Sequence, residues 1–192
     1  MERDRLTAFT DGVLAIIVTI MVLEMRPPHG TALADLVKLW PVFLSYVLSF
    51  VYIGIYWNNH HHFFQLVKTV DGAVLWANMH LLFWLSLVPF ATSWMGENAF
   101  APFPTAVYGF SLFMPGLAWF LMQLVLLRRE GPDSPLRHAL GVDLKGKLSP
   151  FVYLVGIALA FVDTRLAGLA YLGVALAWLI PDRRVERLIR EG

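Results

Sequence analysis

Apolar residues run along this chain in blocks as long as membrane spans, with polar residues gathered in the gaps between them. Six blocks stand out, at residues 7–25, 36–57, 73–94, 105–127, 148–162 and 166–180. A helix needs about 20 apolar residues to cross a hydrocarbon core of roughly 30 Å. The pattern predicts an all-α integral membrane protein, with six transmembrane helices in a single domain over residues 1–192. The last two blocks are short and need local thinning or neighbouring helices in order to span. Pro and Gly punctuate the gaps at Arg26–Gly30, Gly96–Pro104 and Glu130–Pro135. Pro89 falls inside the third block and Pro115-Gly116 inside the fourth, where a kink or local unwinding is expected.

Composition agrees: 58% of residues are hydrophobic and 15% charged, with a mean hydropathy of +0.62. That is too apolar for an ordinary soluble domain. The first block is longer than a secretory apolar core, follows acidic residues and lacks a cleavage site, so it reads as a retained span. Cysteine is absent, which removes disulfides, thiol chemistry and cysteine-held metals.

Charge placement sets the expected orientation. With both termini inside, the cytoplasmic side takes Arg3, Arg5, Lys68, Arg128, Arg129, Arg137, Lys145, Lys147 and the four arginines 183, 184, 187 and 190. The other side takes only Arg26, Lys38 and Arg165. This asymmetry obeys the positive-inside rule for an N-in, C-in chain. Between the tail arginines lie Val185, Leu188 and Ile189, a short amphipathic pattern for a membrane surface rather than for nucleic acid. Trp40, Trp57, Trp94 and Tyr108 near block ends suit interfacial belts. No span carries the several arginines of a voltage sensor.

The head of the first block holds the polar residues that most need a reason: Arg5, then Phe9-Thr10-Asp11-Gly12. Ionisable groups at the head of a spanning helix point to function by default. At about 100° per residue, Ile16, Ile20 and Leu23 form one stripe that Phe9 and Arg5 extend. Gly12 lies roughly 40° and Thr19 roughly 60° off it, and Asp11 roughly 140° away. If that stripe faces a central axis, Asp11 points back into its own bundle. The same spacing also serves lipid contact or core packing, and periodicity alone leaves the choice open.

Asn58-Asn59-His60-His61-His62 closes the second block. Adjacent histidines point in different directions on a helix, whereas zinc-binding helices place them at i and i+4. Even with His80 added from the third block, no metal site is assigned. A buried imidazole bonded to Asp11 or Asn78 fits better, because a polar group inside a bundle needs a partner. Thr105-Ala-Val-Tyr-Gly109 faintly echoes a T-V-G-Y-G potassium filter. Here valine takes the first glycine position and no short pore helix precedes it, so the segment is read as ordinary helix.

The motifs together resemble one family. Arg5 with Phe9-Thr10-Asp11-Gly12 resembles the R-x-x-x-F-S-D-G opening of the transmembrane protein 175 family, which contains endolysosomal potassium channels and bacterial homologues. Tyr56-Trp57-Asn58-Asn59-His60-His61-His62 resembles its Y-W-x-x-H-H motif. Leu75-Trp76-Ala77-Asn78 and Leu87-Val88-Pro89-Phe90-Ala91-Thr92 resemble its L-W-x-N…L-x-P-F-x-T stretch. Thr10 replaces the usual serine and keeps the hydroxyl.

The resemblance implies a potassium channel in a bacterial cell membrane. Four subunits would surround one pore lined by their first helices, with no T-V-G-Y-G filter and no cofactor beyond the permeant potassium ion. The family's pore-lining layers fall on Ile16, Ile20 and Leu23, with Thr19 at a polar position tied to selectivity. Arg5, Phe9, Thr10, Asp11, Gly12, Trp57, His60, His61, His62, Trp76 and Asn78 would form the network bracing the pore helix. Two readings of other classes stay open: a proton-linked secondary transporter using Asp11 and His60–His62, and a metal enzyme centred on the histidines. No nucleophile–base pair, phosphate loop or cofactor motif supports catalysis.

Overall fold

Apolar blocks this long bury backbone hydrogen bonds most simply as helices, and the described elements are all helical. The structure, a computed structural model, describes residues 3–67, 69–131, 134, 136–137 and 144–179. Its helices are α1 (Arg3–Leu23), α2 (Leu33–Val37), α3 (Trp40–Gln65), α4 (Gly72–Ser86), α5 (Val88–Glu97), α6 (Pro102–Glu130), α7 (Leu144–Leu159) and α8 (Thr164–Leu179). Four stretches are long and apolar enough to cross a membrane: α1, α3, α4 with α5, and α6. The 16 residues of α7 and of α8 reach about 24 Å each. Lys68, Pro132, Asp133, Pro135, Ile180 and the basic tail at 183–190 lie outside the described residues.

The boundaries correct the sequence reading in several places. The second span begins four residues later than expected and continues eight residues further, to Gln65. Asn58 to His62 therefore lie in the last two turns of α3, which ends three residues beyond them. They break the apolar run, yet Asn59 Nδ2 donates to Ile55 O and His60 lies 2.9 Å from Asn78 inside the bundle. The short α2 was not foreseen. The expected kink at Pro89 is a break: Leu87 interrupts the helix with φ −88° and ψ −12°, because Pro89 has no N–H to offer the preceding turn. By contrast, α6 continues through Pro115. Tyr108 is buried, not interfacial, and its hydroxyl bonds Ser49 at 2.9 Å.

Two apolar cores share α3 and α6 as their common wall. One packs Leu6, Leu14, Ile17 and Met21 of α1 against Ile53, Phe64, Leu81 and Met122. The other gathers Tyr52, Met95, Tyr108, Tyr153 and Tyr171 from α3, α5, α6, α7 and α8. At one end, Asp71 caps α4 by accepting from Val74 N at 3.0 Å and pairs with Arg129 at 3.0 Å. Thr69 N donates to Glu130 Oε1 at 3.2 Å beside it, pinning the end of α6 to the α3–α4 link.

Close helix contacts rest on small residues. A Cβ on Gly96 would stand 2.9 Å from Val42 Cα and 2.4 Å from Ser45 Oγ, so α5 meets the backbone of α3 directly. Gly109 and Gly156 likewise make room for Tyr171. Because the backbone at Val42 cannot swing aside, Gly96→Ala is expected to destabilise the protein by about 1–3 kcal/mol, the range for overpacking. Thermal unfolding in detergent should show a lowered melting temperature for Gly96→Ala. Gly168→Ala, which meets nothing within 4 Å, should show no loss.

Candidate functional site

Helix α1 has two faces with different work. Its buried stripe is Leu6, Thr10, Leu14, Ile17 and Met21, spaced at helical i, i+3 and i+4 intervals. Roughly 120° around the helix lies the other stripe. There Ile16, Ile20 and Leu23 are 58%, 39% and 79% exposed, and Arg5, Phe9, Gly12 and Thr19 are exposed beside them. The Thr19 hydroxyl donates to Ile16 O at 2.9 Å and its oxygen keeps lone pairs that can accept. Val18 packs partly buried against the first core.

Behind the buried stripe sits a polar chain that ties three helices together. Thr10 of α1, His60 of α3 and Asn78 of α4 are all at least 98% buried. Asn78 Nδ2 donates to Thr10 Oγ1 at 2.9 Å, and Asn78 Oδ1 lies 2.9 Å from His60 Nε2. With the amide nitrogen given to Thr10, the amide oxygen must accept, so His60 carries its proton on Nε2. The imidazole also stacks on Phe64 with centroids 4.3 Å apart. In an apolar interior every link of such a chain is needed, since an unpaired member loses its solvation without compensation.

A second tie is more exposed. Trp57 Nε1 donates to Asp11 Oδ1 at 3.0 Å, so Asp11 does turn toward its own subunit, where an indole meets it. Both residues are exposed in the subunit. An asparagine oxygen can still accept from this indole. Asp11→Asn should keep its melting temperature, while Asp11→Leu should lose the bond, about 0.5–1.5 kcal/mol. Thermal melts of the two variants side by side check this.

The rest of the expected network is not brought together. Trp76 is 77% exposed; two residues from Asn78 on a helix, it points roughly 200° away. Arg5, Phe9 and Gly12 occupy the outward face. His61 is exposed, bonds Gln65 at 2.9 Å and lies beside the Trp57 ring, while His62 meets His61 edge-on. His80 Nε2 accepts from Trp84 Nε1 at 2.9 Å. Among the described residues no group of three His, Cys, Asp or Glu is placed to hold a metal. Thr105 to Gly109 form part of α6.

The sequence reading did not single out a hydroxyl cluster in the second core, where Ser49 Oγ meets Thr92 Oγ1 at 2.7 Å and Tyr108 OH at 2.9 Å. The i, i+4 serines Ser45 and Ser49 were the available signal for a close crossing.

A family model described as endosomal/lysosomal potassium channel TMEM175 matches residues 5–89, the part of the chain that holds both ties. A potassium channel of Chryseobacterium sp. (strain P1-3) is 51% identical over 192 residues, covering all of both chains. The chain belongs to the TMEM175 family. Another relative, a potassium channel of Streptomyces collinus, is 31% identical over 86% of this chain and 85% of its own. The crystal structure of a lysosomal potassium-selective channel TMEM175 homolog from Chamaesiphon minutus matches with a TM-score of 0.84. It is 28% identical, and the match covers 94% of this chain and 98% of that one. The TMEM175 relatives are channels and not enzymes, and α1 with its two faces lies in the segment they share.

Proposed function

We propose that this protein is a potassium-selective cation channel, formed by four copies that set the outward stripe of α1 around one pore. The observation that carries the reading is the exposure of Ile16, Ile20 and Leu23 on a helix whose buried face is fixed by Thr10, Asn78 and His60. An apolar stripe so presented at i, i+4 and i+7 gives three successive rings in a symmetric assembly. Rings of branched apolar side chains close a pore by dewetting, with no charged barrier. Potassium sheds water more readily than sodium, so a site offering few oxygens favours it modestly. The four Thr19 oxygens, whose protons are held by Ile16 O, are the groups assigned to that site.

Six spans with both termini cytoplasmic complete the proposal, supported by the charge asymmetry and by Arg3, Gln65, Asp71 and Arg129 meeting at one end. A phosphatase fused to the C-terminus in bacteria should stay inactive, while a fluorescent protein there should fluoresce. The deciding experiment is the purified protein in planar bilayers under bi-ionic potassium and sodium, with native mass spectrometry of the same sample. Unitary current steps, a modest potassium preference and a tetramer are expected. A conducting monomer, or flux that saturates at carrier rates, would overturn the shared pore.

A further inference from the structure

Between its charged ends, α7 is shorter than the helix it leans on. From Lys147 to Asp163 the chain rises about 24 Å, whereas α6 rises about 37 Å from Phe103 to Arg128. The two helices run antiparallel in close contact. A Cβ on Gly109 would stand 2.9 Å from Ile157, and one on Gly116 3.8 Å from the Tyr153 ring. Further along, Gln123 and Gly146 line one small cavity between them. That register sets Lys147 at about the level of Gln123, more than one helical turn short of Arg128, a step of about 7 Å.

Lys147 is exposed on the outward face of α7, in one stripe with Leu144, Leu148, Phe151 and Leu154. An ammonium group therefore stands among lipid-facing apolar side chains, at a depth where the neighbouring α6 still reads Leu124-Val125-Leu126-Leu127. Lys147 makes no ion pair among the described residues. The carboxylates at the adjoining ends of α4 and α6 are engaged elsewhere, Asp71 with Arg129 at 3.0 Å and Glu130 with Thr69 N at 3.2 Å.

These features select a partner. A bare charge at such depth is costly. A lysine relieves that cost by reaching toward the surface along its apolar stem, and a bilayer by thinning beside a short apolar segment. The two movements bring lipid headgroups and the Lys147 ammonium to one level. A soluble acidic partner would have to strip lipid from Leu148 and Phe151 to reach it, and a zwitterionic headgroup brings no net charge. We propose that the outward face of α7 at Lys147 binds a phospholipid with an anionic headgroup. Its phosphate pairs with Nζ while its acyl chains lie on Phe151 and Leu154. Arg128, exposed at the end of α6, adds to the positive potential on that side.

The chain has no cysteine, so Val155→Cys, at an exposed position on α7, carries a bimane label at one place only. The full chain is reconstituted in vesicles of dioleoyl phosphatidylcholine with a minor share of brominated phosphatidylglycerol or, in parallel, of brominated phosphatidylcholine. Quenching should show the anionic lipid preferred about fivefold beside the label, the attraction that one lysine exerts near a membrane surface. Lys147→Gln should remove the preference and Lys147→Arg should keep it. Arg165→Gln, at the far end of the α7–α8 hairpin, should leave it unchanged. Equal quenching by both lipids with Lys147 in place, a preference that survives Lys147→Gln, or an equal fall in Arg165→Gln would overturn the proposal. Should the label disturb packing, native mass spectrometry of the unlabelled protein decides. Phosphatidylglycerol retained above phosphatidylcholine, and lost in Lys147→Gln, supports the site; equal retention of the two lipids overturns it.

Discussion

Replacing Ile16 or Leu23 with Asn should raise the resting potassium current roughly tenfold, the change that about 1.4 kcal/mol off a barrier produces. A hydrophobic ring holds water out by giving it nothing to bond, and an amide on each subunit removes that penalty. Discrimination against sodium should weaken in the same variants, because a wetted ring passes both ions with their water. Thr19→Val should lower conductance instead, since it deletes an oxygen near the ion while nearly conserving volume. Leu169 on α8 is exposed and far along the chain from this stripe. Leu169→Asn is the control and should leave the current ratio unchanged. Single-channel recording of assembled variants is the measurement. Unaltered conductance and selectivity with Asn at all of 16, 20 and 23 would assign the pore to another helix.

Asn78→Leu should have the largest effect on folding. It strips His60 Nε2 of its acceptor and Thr10 of its donor at once, inside the first core. Each buried group left unpaired costs about 1–3 kcal/mol, so the pair approaches a large share of the roughly 5–15 kcal/mol that holds a typical native state together. The expected result is a collapse of the monodisperse peak in size-exclusion chromatography and a lowered melting temperature. Removing all three polar groups together, with Thr10→Val and His60→Leu added, should recover part of the loss, because no orphan then remains. A melting temperature unchanged in Asn78→Leu would show that the chain contributes nothing.

The long spans were legible because an apolar run of that length has few other uses, and α1, α3 and α6 all lie where such runs lie. What the run length could not show was the far end of α3. Asn58 to His62 read as the edge of the membrane segment, but Asn59 is answered by the preceding turn and His60 by Asn78 on another helix. The Thr10, Asn78 and His60 chain was within reach, since each is a polar residue in an apolar block and had to be answered. Its membership was not: Trp76 stood close to Asn78 in the motif and points elsewhere on the helix. Lys147 gave no warning, because its depth is set only when α7 packs against α6.

The two stripes of α1 share no residue. Side chains at positions 10, 14, 17 and 21 answer to the subunit's own interior, and those at 16, 20 and 23 do not touch that core. The constraints are interleaved along one stretch of gene yet largely separable in effect, as energetically distant sites are. A single nucleotide change can therefore alter the outward surface with little penalty in the folded stability of the chain that bears it. Diversification of that surface among descendants of one ancestral sequence needs no compensating change elsewhere in the subunit.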